Sequence, residues 1–390
     1  MLRLERKIRF ILGFSALALL LLAAYELFDL ANPLRILGDS SIQSADLGGI
    51  PANQWVRYYQ PAYAKWRRQG HAGIAYDTQR ATFYILGSDT HGQNWDNSVH
   101  EFDPGTKSWT THYPSADSET YRVDDRGVGI SGDDQTLPWA MHSYDNVLYD
   151  PINDALVVTA QPGHNPISKM LGVSPRIHPT WFYYLPLRIW LTPENLTQDF
   201  PSNFAGSSAY DIERQALISY GSGLFELGPD RIEWQKVPTT KRHAIHHSME
   251  YDSVRKQLVV FGDYRNSNAV WVYKPGLLAG EAGSWEKKEP GGDHVPPDQH
   301  FPVAFDEHSG VFLLLPDNRP AGEERATSAG TFAYDPDRNQ YRRLPDADMP
   351  ALGMNYMMVY DSFRRVFFLV TGDWKRPAVV WVLRLDLASL

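Results

Sequence analysis

Short apolar runs broken by polar turns recur along most of the chain. Six of them open alike, with an aromatic residue and an Asp: "IAYDTQRATFYIL", "VLYDPINDALVV", "SAYDIERQALISY", "MEYDSVRKQLVVF", "VAFDEHSGVFLLL" and "MVYDSFRRVFFLV". The pairs are Tyr76-Asp77, Tyr149-Asp150, Tyr210-Asp211, Tyr251-Asp252, Phe305-Asp306 and Tyr360-Asp361. Each segment predicts a strand, a tight turn opened by Asp, and a second strand. The carboxylate accepts a hydrogen bond from the backbone N–H two residues on, which fixes the turn.

After each hairpin comes a third apolar-aromatic run and usually a fourth carrying an aromatic residue, as in "VHEFDPGTKSWTTHYP" and "TFAYDPDRNQYRRLP". The second unit compresses both into "TWFYYLPLRIWLTP". Four strands per unit make the blade of a β-propeller. The sixth unit stops at its third strand, "VVWVLRLDLASL", whereas "NQWVRYYQPA" from Asn53 to Ala62 has the fourth-strand look of "KSWTTHYPSA" from Lys107 to Ala116. The expectation is an all-β, six-bladed β-propeller over residues 54–390. Its N-terminal strand closes the last blade, leaving no open sheet edge at the join.

These features resemble kelch-type β-propellers, the superfamily that includes the central domain of galactose oxidase and the sialic-acid mutarotases. The likeness covers about Gln54 to Leu390 and rests on the aromatic-Asp hairpin, the third-strand aromatic and the fourth-strand Trp109, Trp234 and Trp285. The double glycine expected after the second strand is degenerate, as Gly87-Ser88, Gly221-Ser222, Gly262-Asp263 and Gly372-Asp373; the second and fifth units lack even the first glycine.

Ahead of the repeats, Arg3, Arg6, Lys7 and Arg9 precede "ILGFSALALLLLAAYELF", apolar until Glu26. This predicts a transmembrane or signal-anchor helix over 10–28, a cytoplasmic basic segment over 1–9 and a linker over 29–53. The basic flank stays inside, so the repeats lie outside. A signal peptidase wants small residues at two spaced positions, but the best site, after Ala24, has Leu22 where one belongs. The helix is therefore expected to remain as a single-pass inner-membrane anchor.

Composition narrows the chemistry. The 12 Trp, 21 Tyr and 17 Phe suit strands. The absence of Cys removes disulfides, thiolate nucleophiles and Cys-ligated metals. It also excludes galactose oxidase chemistry, which the resemblance ties to a copper site with a Tyr cross-linked to Cys. A net charge of -9, with no basic run beyond the first residues, argues against nucleic acid as a partner. No cofactor is expected.

In a four-stranded blade, the connections between strands two and three share a face with those between consecutive blades. That class includes Ser115 to Ala140, Ala160 to Thr180 and Pro316 to Gly330, while the hairpin turns opposite are short. Long connections on a rigid scaffold are where binding concentrates. Five residues before each aromatic-Asp pair, on that face, stand His71, Tyr144, Ala205, His246, His300 and Asn355. With Trp139, His142 and His247 they suggest a histidine-lined channel mouth, and His71, His246 and His300 are the metal candidates. Equal spacing also follows from the repeat alone, with these side chains merely closing the channel.

Acid-base pairs recur in the later two-to-three connections: Asp263 with Arg265, Asp317 with Arg319, Asp373 with Lys375 and Arg376. Arg265 and Arg319 could fix an anionic group through the guanidinium fork, or the pairs are internal to their loops. "DDRGVGISGDD", Asp124 to Asp134, carries acids at both ends but lacks the EF-hand pattern, so a solvated acidic loop is expected there. The functional expectation is a membrane-anchored binding or scaffolding module with protein partners in a membrane complex. The alternatives are a periplasmic carbohydrate enzyme of mutarotase or lyase type, and a glycan-binding lectin.

Overall fold

The computed structural model describes residues 47, 49–60, 71–86, 95–162, 167–197, 199–239, 246–262, 269–296, 300–316, 330–346, 348–350, 352–372 and 377–389. The anchor expected over 10–28 and most of the linker lie outside them. Among the described residues no helix is long and apolar enough to cross a membrane. Ile50–Leu390 forms one compact unit, separate from Met1–Gly49.

The unit is all-β, built from antiparallel sheets of four strands in chain order, sheets I to V and a sixth of mixed origin. The innermost strands are Gly73–Asp77, Val147–Asp150, Ser207–Asp211, Ser248–Asp252, Val303–Asp306 and Met358–Asp361. Each neighbours the next, and the sixth neighbours the first, so the six sheets close a ring. In sheet VI the outermost strand is Val56–Tyr59, paired antiparallel with Val379–Leu383 through Val56 to Val382 and Arg57 to Trp381. Trp55 donates its indole N–H to Thr331 Oγ1 at 3.0 Å, and Asn53 donates to Asp386 O at 2.8 Å while accepting from Asp386 N at 2.8 Å. Asn53, at the entry to this strand, is buried against the C-terminal segment.

Each sheet is covered on both faces by its neighbours, so the apolar core is divided among the junctions. Leu148, Val157 and Phe182 of sheet II meet Leu217, Phe225 and Leu227 of sheet III, and the remaining junctions repeat the scheme. This is why second strands such as Thr82–Leu86, Gln257–Phe261 and Val366–Thr371 are buried at every position and read as continuous rather than alternating apolar runs. At Gly73 the approach of sheets I and II leaves no room for a side chain: a Cβ there would lie 2.4 Å from Tyr144 O.

The hairpin turns take the form the sequence implies. Asp77 Oδ1 accepts from Gln79 N at 2.8 Å and Arg80 N at 3.0 Å, and Asp211, Asp252 and Asp306 repeat the pair. Each turn then closes on one residue in the left-handed region, Ala81, Asp154, Gln215, Lys256, Gly310 or Arg365. The other Asp oxygen takes an Arg from the same turn at Arg80, Arg214, Arg255 and Arg364. Several of these also tie adjacent sheets together. Arg364 donates to Ala81 O at 2.8 Å and Tyr76 Oη to Asp361 Oδ1 at 2.7 Å, which fastens sheet VI to sheet I.

Two features were not legible as elements. The Ser115–Ala140 connection folds into its own three-stranded sheet of Arg122–Val123, Gly129–Ser131 and Leu137–Pro138. Sheet V gains a fifth, parallel strand at Gly291–Gly292.

Candidate functional site

The innermost strands carry two distinct clusters. At the long-connection end, the register position that holds His71, Tyr144, Ala205, His246, His300 and Asn355 is knitted sheet to sheet by its own backbone. Tyr144 N donates to His71 O at 2.8 Å, His246 N to Ala205 O at 2.8 Å and Asn355 N to His300 O at 2.9 Å. Tyr144, Ala205, His246 and His300 all have left-handed backbones, with φ between 47° and 66°. That conformation is costly for residues other than glycine, and these hydrogen bonds are what hold it.

The side chains there pack ring on ring. His71 stacks on His142 with centroids 4.0 Å apart, and His246 lies 3.8 Å from His300. Tyr144 stands between the two pairs, 5.4 Å from His71 and 5.4 Å from His246. The expected metal candidates His71, His246 and His300 are thus split between two ring pairs, one stacked and one tilted. Among the described residues no group of three His, Asp or Glu is arranged to hold a metal ion. Burial pushes the His246 imidazole down to about 4, so it is neutral at ordinary pH. His247 is buried and faces Tyr220 at 5.2 Å.

Trp139 belongs elsewhere. Its indole N–H donates to Arg122 O at 2.9 Å and Ile130 O at 3.0 Å, and its ring packs on Tyr121 inside the small three-stranded sheet. It is a structural residue of that connection, because its one donor is already satisfied. The acidic "DDRGVGISGDD" stretch makes local hydrogen bonds, Asp124 accepting from Val128 N and Arg126 and Asp134 from Thr136, while Asp125, Asp133 and Asp134 are exposed as expected of a solvated loop. Arg265, Arg319 and the acid-base pairs Asp263 with Arg265, Asp317 with Arg319 and Asp373 with Lys375 and Arg376 lie outside the described residues.

The second cluster lies further along the same strands. The position just before each aromatic-Asp pair holds Ala75, Leu148, Ala209, Glu250, Ala304 and Val359, and all six line a cavity of about 440 Å³ enclosed by the innermost strands. Three alanines make the room. The aromatic residues of the pairs, Tyr76, Tyr149, Tyr210, Phe305 and Tyr360, contribute to the wall. Thr78, Pro151, Ile212 and Gln215 from the hairpin turns also line it, so the cavity reaches the short-turn face, the one opposite the histidines.

Two carboxyl groups share this lumen. Asp145 reaches across from the lead-in to sheet II, and its Oδ2 accepts from Met249 N of sheet IV at 2.9 Å. Glu250 is the next residue. Both side chains touch the lumen and are only half-buried by exposed surface, but the lumen itself is walled by the sheets, so depth in the protein governs their ionisation. Burial pushes Glu250 up to about 8. Burial, with Glu250 close by, raises Asp145 well above the usual carboxylate range.

Neither acid was singled out from the sequence, although a signal existed. Glu250 is the one charged residue among the six at its register position, where the others are apolar. A group near 8 is poised to exchange a proton around neutral pH, whereas a histidine near 4 is not. A comparison with protein-family models matches none of them, and no curated protein matches the chain.

Proposed function

We propose that this chain is a six-bladed β-propeller of the kelch type, anchored by residues 10–28 and carried on the outer side of the inner membrane, where it serves as a binding or scaffolding module. Its partner on this reading is a protein of a membrane complex. Cyclic neighbouring of six four-stranded sheets, and closure of the last by Val56–Tyr59, support the propeller. The kelch assignment rests on the aromatic-Asp hairpins and fourth-strand tryptophans.

The observation that carries the binding role is the apolar set exposed on a long connection of sheet II. The short-turn face is tied down by Asp and Arg within and between turns, and it exposes Ile212, Val254 and Phe363 singly at turn tips and the adjacent Leu277 and Leu278 on the connection before the last strand of sheet IV. On the long-connection face, the helix Ile167–Leu171 and the residues after it expose a contiguous apolar set, Met170 at 64%, Leu171 at 40% and Val173 at 42%. Apolar side chains grouped on a long connection are what a protein contact uses. A photo-crosslinking residue at Met170 of the full-length protein should give a stoichiometric adduct with a co-purifying membrane subunit, and the same probe at Phe363 should not. A lone monomer after gentle detergent extraction, with no adduct at Met170, would overturn this reading.

The competing enzyme reading draws its base from the histidines. It is weakened by His246, which at about 4 holds no proton at neutral pH and is a feeble base there. A lectin remains distinguishable by saturable sugar binding without conversion.

A further inference from the structure

The lumen is chemically one-sided. Its wall contains two carboxyl groups, Asp145 and Glu250, and no Lys, Arg or His. Asp145 spends one oxygen on the Met249 amide. Among the described residues, nothing donates a hydrogen bond to the Glu250 carboxyl, and no cation pairs with it. A half-buried carboxyl that faces a cavity with no counter-charge in its wall is open to a cationic ligand. The rest of the wall is largely aromatic and aliphatic, with the neutral polar side chains of Thr78, Ser208 and Gln215, and the volume of about 440 Å³ is in the range of small-molecule sites.

We propose that this lumen binds a small organic cation, an alkylammonium or quaternary ammonium group, seated among the rings of Tyr76, Tyr149, Tyr210 and Tyr360 and neutralised by Glu250 and Asp145. This goes beyond the partner-binding role proposed above and does not depend on it, since the cavity opens towards the opposite face. Three features select the ligand class. Negative charge without a counter-charge calls for a cation. Aromatic faces attract a diffuse ammonium, with a gain that grows when the site is dry. A bare metal ion would leave most of the volume empty and would lack ligands, because no set of three donors is grouped among the described residues.

Two of the tyrosine hydroxyls are engaged at the turns, which leaves their rings as wall. Tyr76 Oη donates to Asp361 at 2.7 Å and Tyr149 Oη to Asp154 at 3.0 Å. The ionisable groups that share the cavity wall with Glu250 are Asp145 and the tyrosines, while the turn aspartates Asp211, Asp252 and Asp306 are outside the wall and held by their own turns. Binding of a cation next to a carboxyl that is raised by burial drives it to ionise, so a proton leaves as the ligand enters.

The test uses full-length protein in detergent and two probes of the same shape, choline and its uncharged carbon isostere 3,3-dimethyl-1-butanol, titrated calorimetrically at pH 7.5 in two buffers of different ionisation enthalpy. Choline should bind saturably with release of a proton, and the isostere should bind about tenfold more weakly or not at all. Glu250→Gln should lose about tenfold in choline affinity and the proton release, while keeping its near-ultraviolet spectrum. Equal binding of the two probes, undiminished binding by Glu250→Gln, the same response to sodium chloride at equal ionic strength, or no saturable choline binding would each overturn the proposal.

Discussion

Two titratable groups on the innermost strand of sheet IV and its lead-in act on stability with opposite sign. Burial pushes Glu250 from 4.5 up to about 8, so between those values the native state holds a proton that the unfolded chain has lost. Its contribution is complete below about 4.5 and is lost as pH rises towards 8. His246 is pushed from 6.5 down to about 4, so the unfolded chain holds the extra proton between 4 and 6.5, and stability rises with pH there. Per pH unit the two slopes are equal and cancel where the windows overlap. Above 6.5 Glu250 is unopposed, and the raised Asp145 adds to it with the same sign. Urea midpoints should therefore fall between pH 6.5 and 8, by an amount worth up to about a few kcal/mol because both carboxyls are only half-buried. Glu250→Gln should flatten that limb and leave the protein more stable at pH 8 than its parent. An unchanged pH profile in the variant would mean Glu250 is not the group responsible.

At the scale of the element, the decisive piece is the strand Val56–Tyr59. It supplies the outer edge of sheet VI, Tyr58 packs on Phe368 at 5.4 Å, and Tyr58 Oη donates to Pro104 O of sheet I at 2.6 Å. Trp55, which locks it to sheet V through Thr331, is buried. Trp55→Ala should cost about 3 to 5 kcal/mol, read as a lower denaturant midpoint. Removal of residues up to 60 should do worse. It leaves Val379–Leu383 as an unpaired apolar edge, and the product should associate rather than run as a monomer. A monomeric truncated chain with an unchanged midpoint would mean that the strand is dispensable.

What could be read in the sequence and what could not divides along the same line. The hairpins were legible because the aspartate acts on amides two and three residues away, a local event that leaves its mark at fixed spacing. The closing strand was legible because one unit lacked a strand and one spare strand matched its pattern. Asp145 and Glu250 were not, because what joins them is the ring itself: Asp145 leads into sheet II, passes sheet III and reaches sheet IV. Trp139 misled for the complementary reason. Its place beside His142 in sequence says nothing of the small sheet that takes its side chain away.

For the whole molecule, the strand that closes the ring is also the one nearest the proposed anchor. Any pull on the tether would then fall on the strand pairing of sheet VI and on Asn53, whose three hydrogen bonds to Asp386 and Ser389 hold the entry to the ring. The proposed orientation follows from Arg3, Arg6, Lys7 and Arg9, which stay with the cytoplasm and send the ring outward. The lack of native cysteine makes this testable with a single added thiol. Leu277, 89% exposed, accepts the change Leu277→Cys without disturbing the core. In a bacterial host with a permeabilised outer membrane and an intact inner one, a membrane-impermeant maleimide should label that thiol fully. Replacing the four basic residues by Ser should reduce labelling, because the charge asymmetry that orients the helix is gone. Labelling only after the inner membrane is broken would place the ring in the cytoplasm and remove the extracytoplasmic part of the proposed function, while leaving the lumen and its two acids untouched.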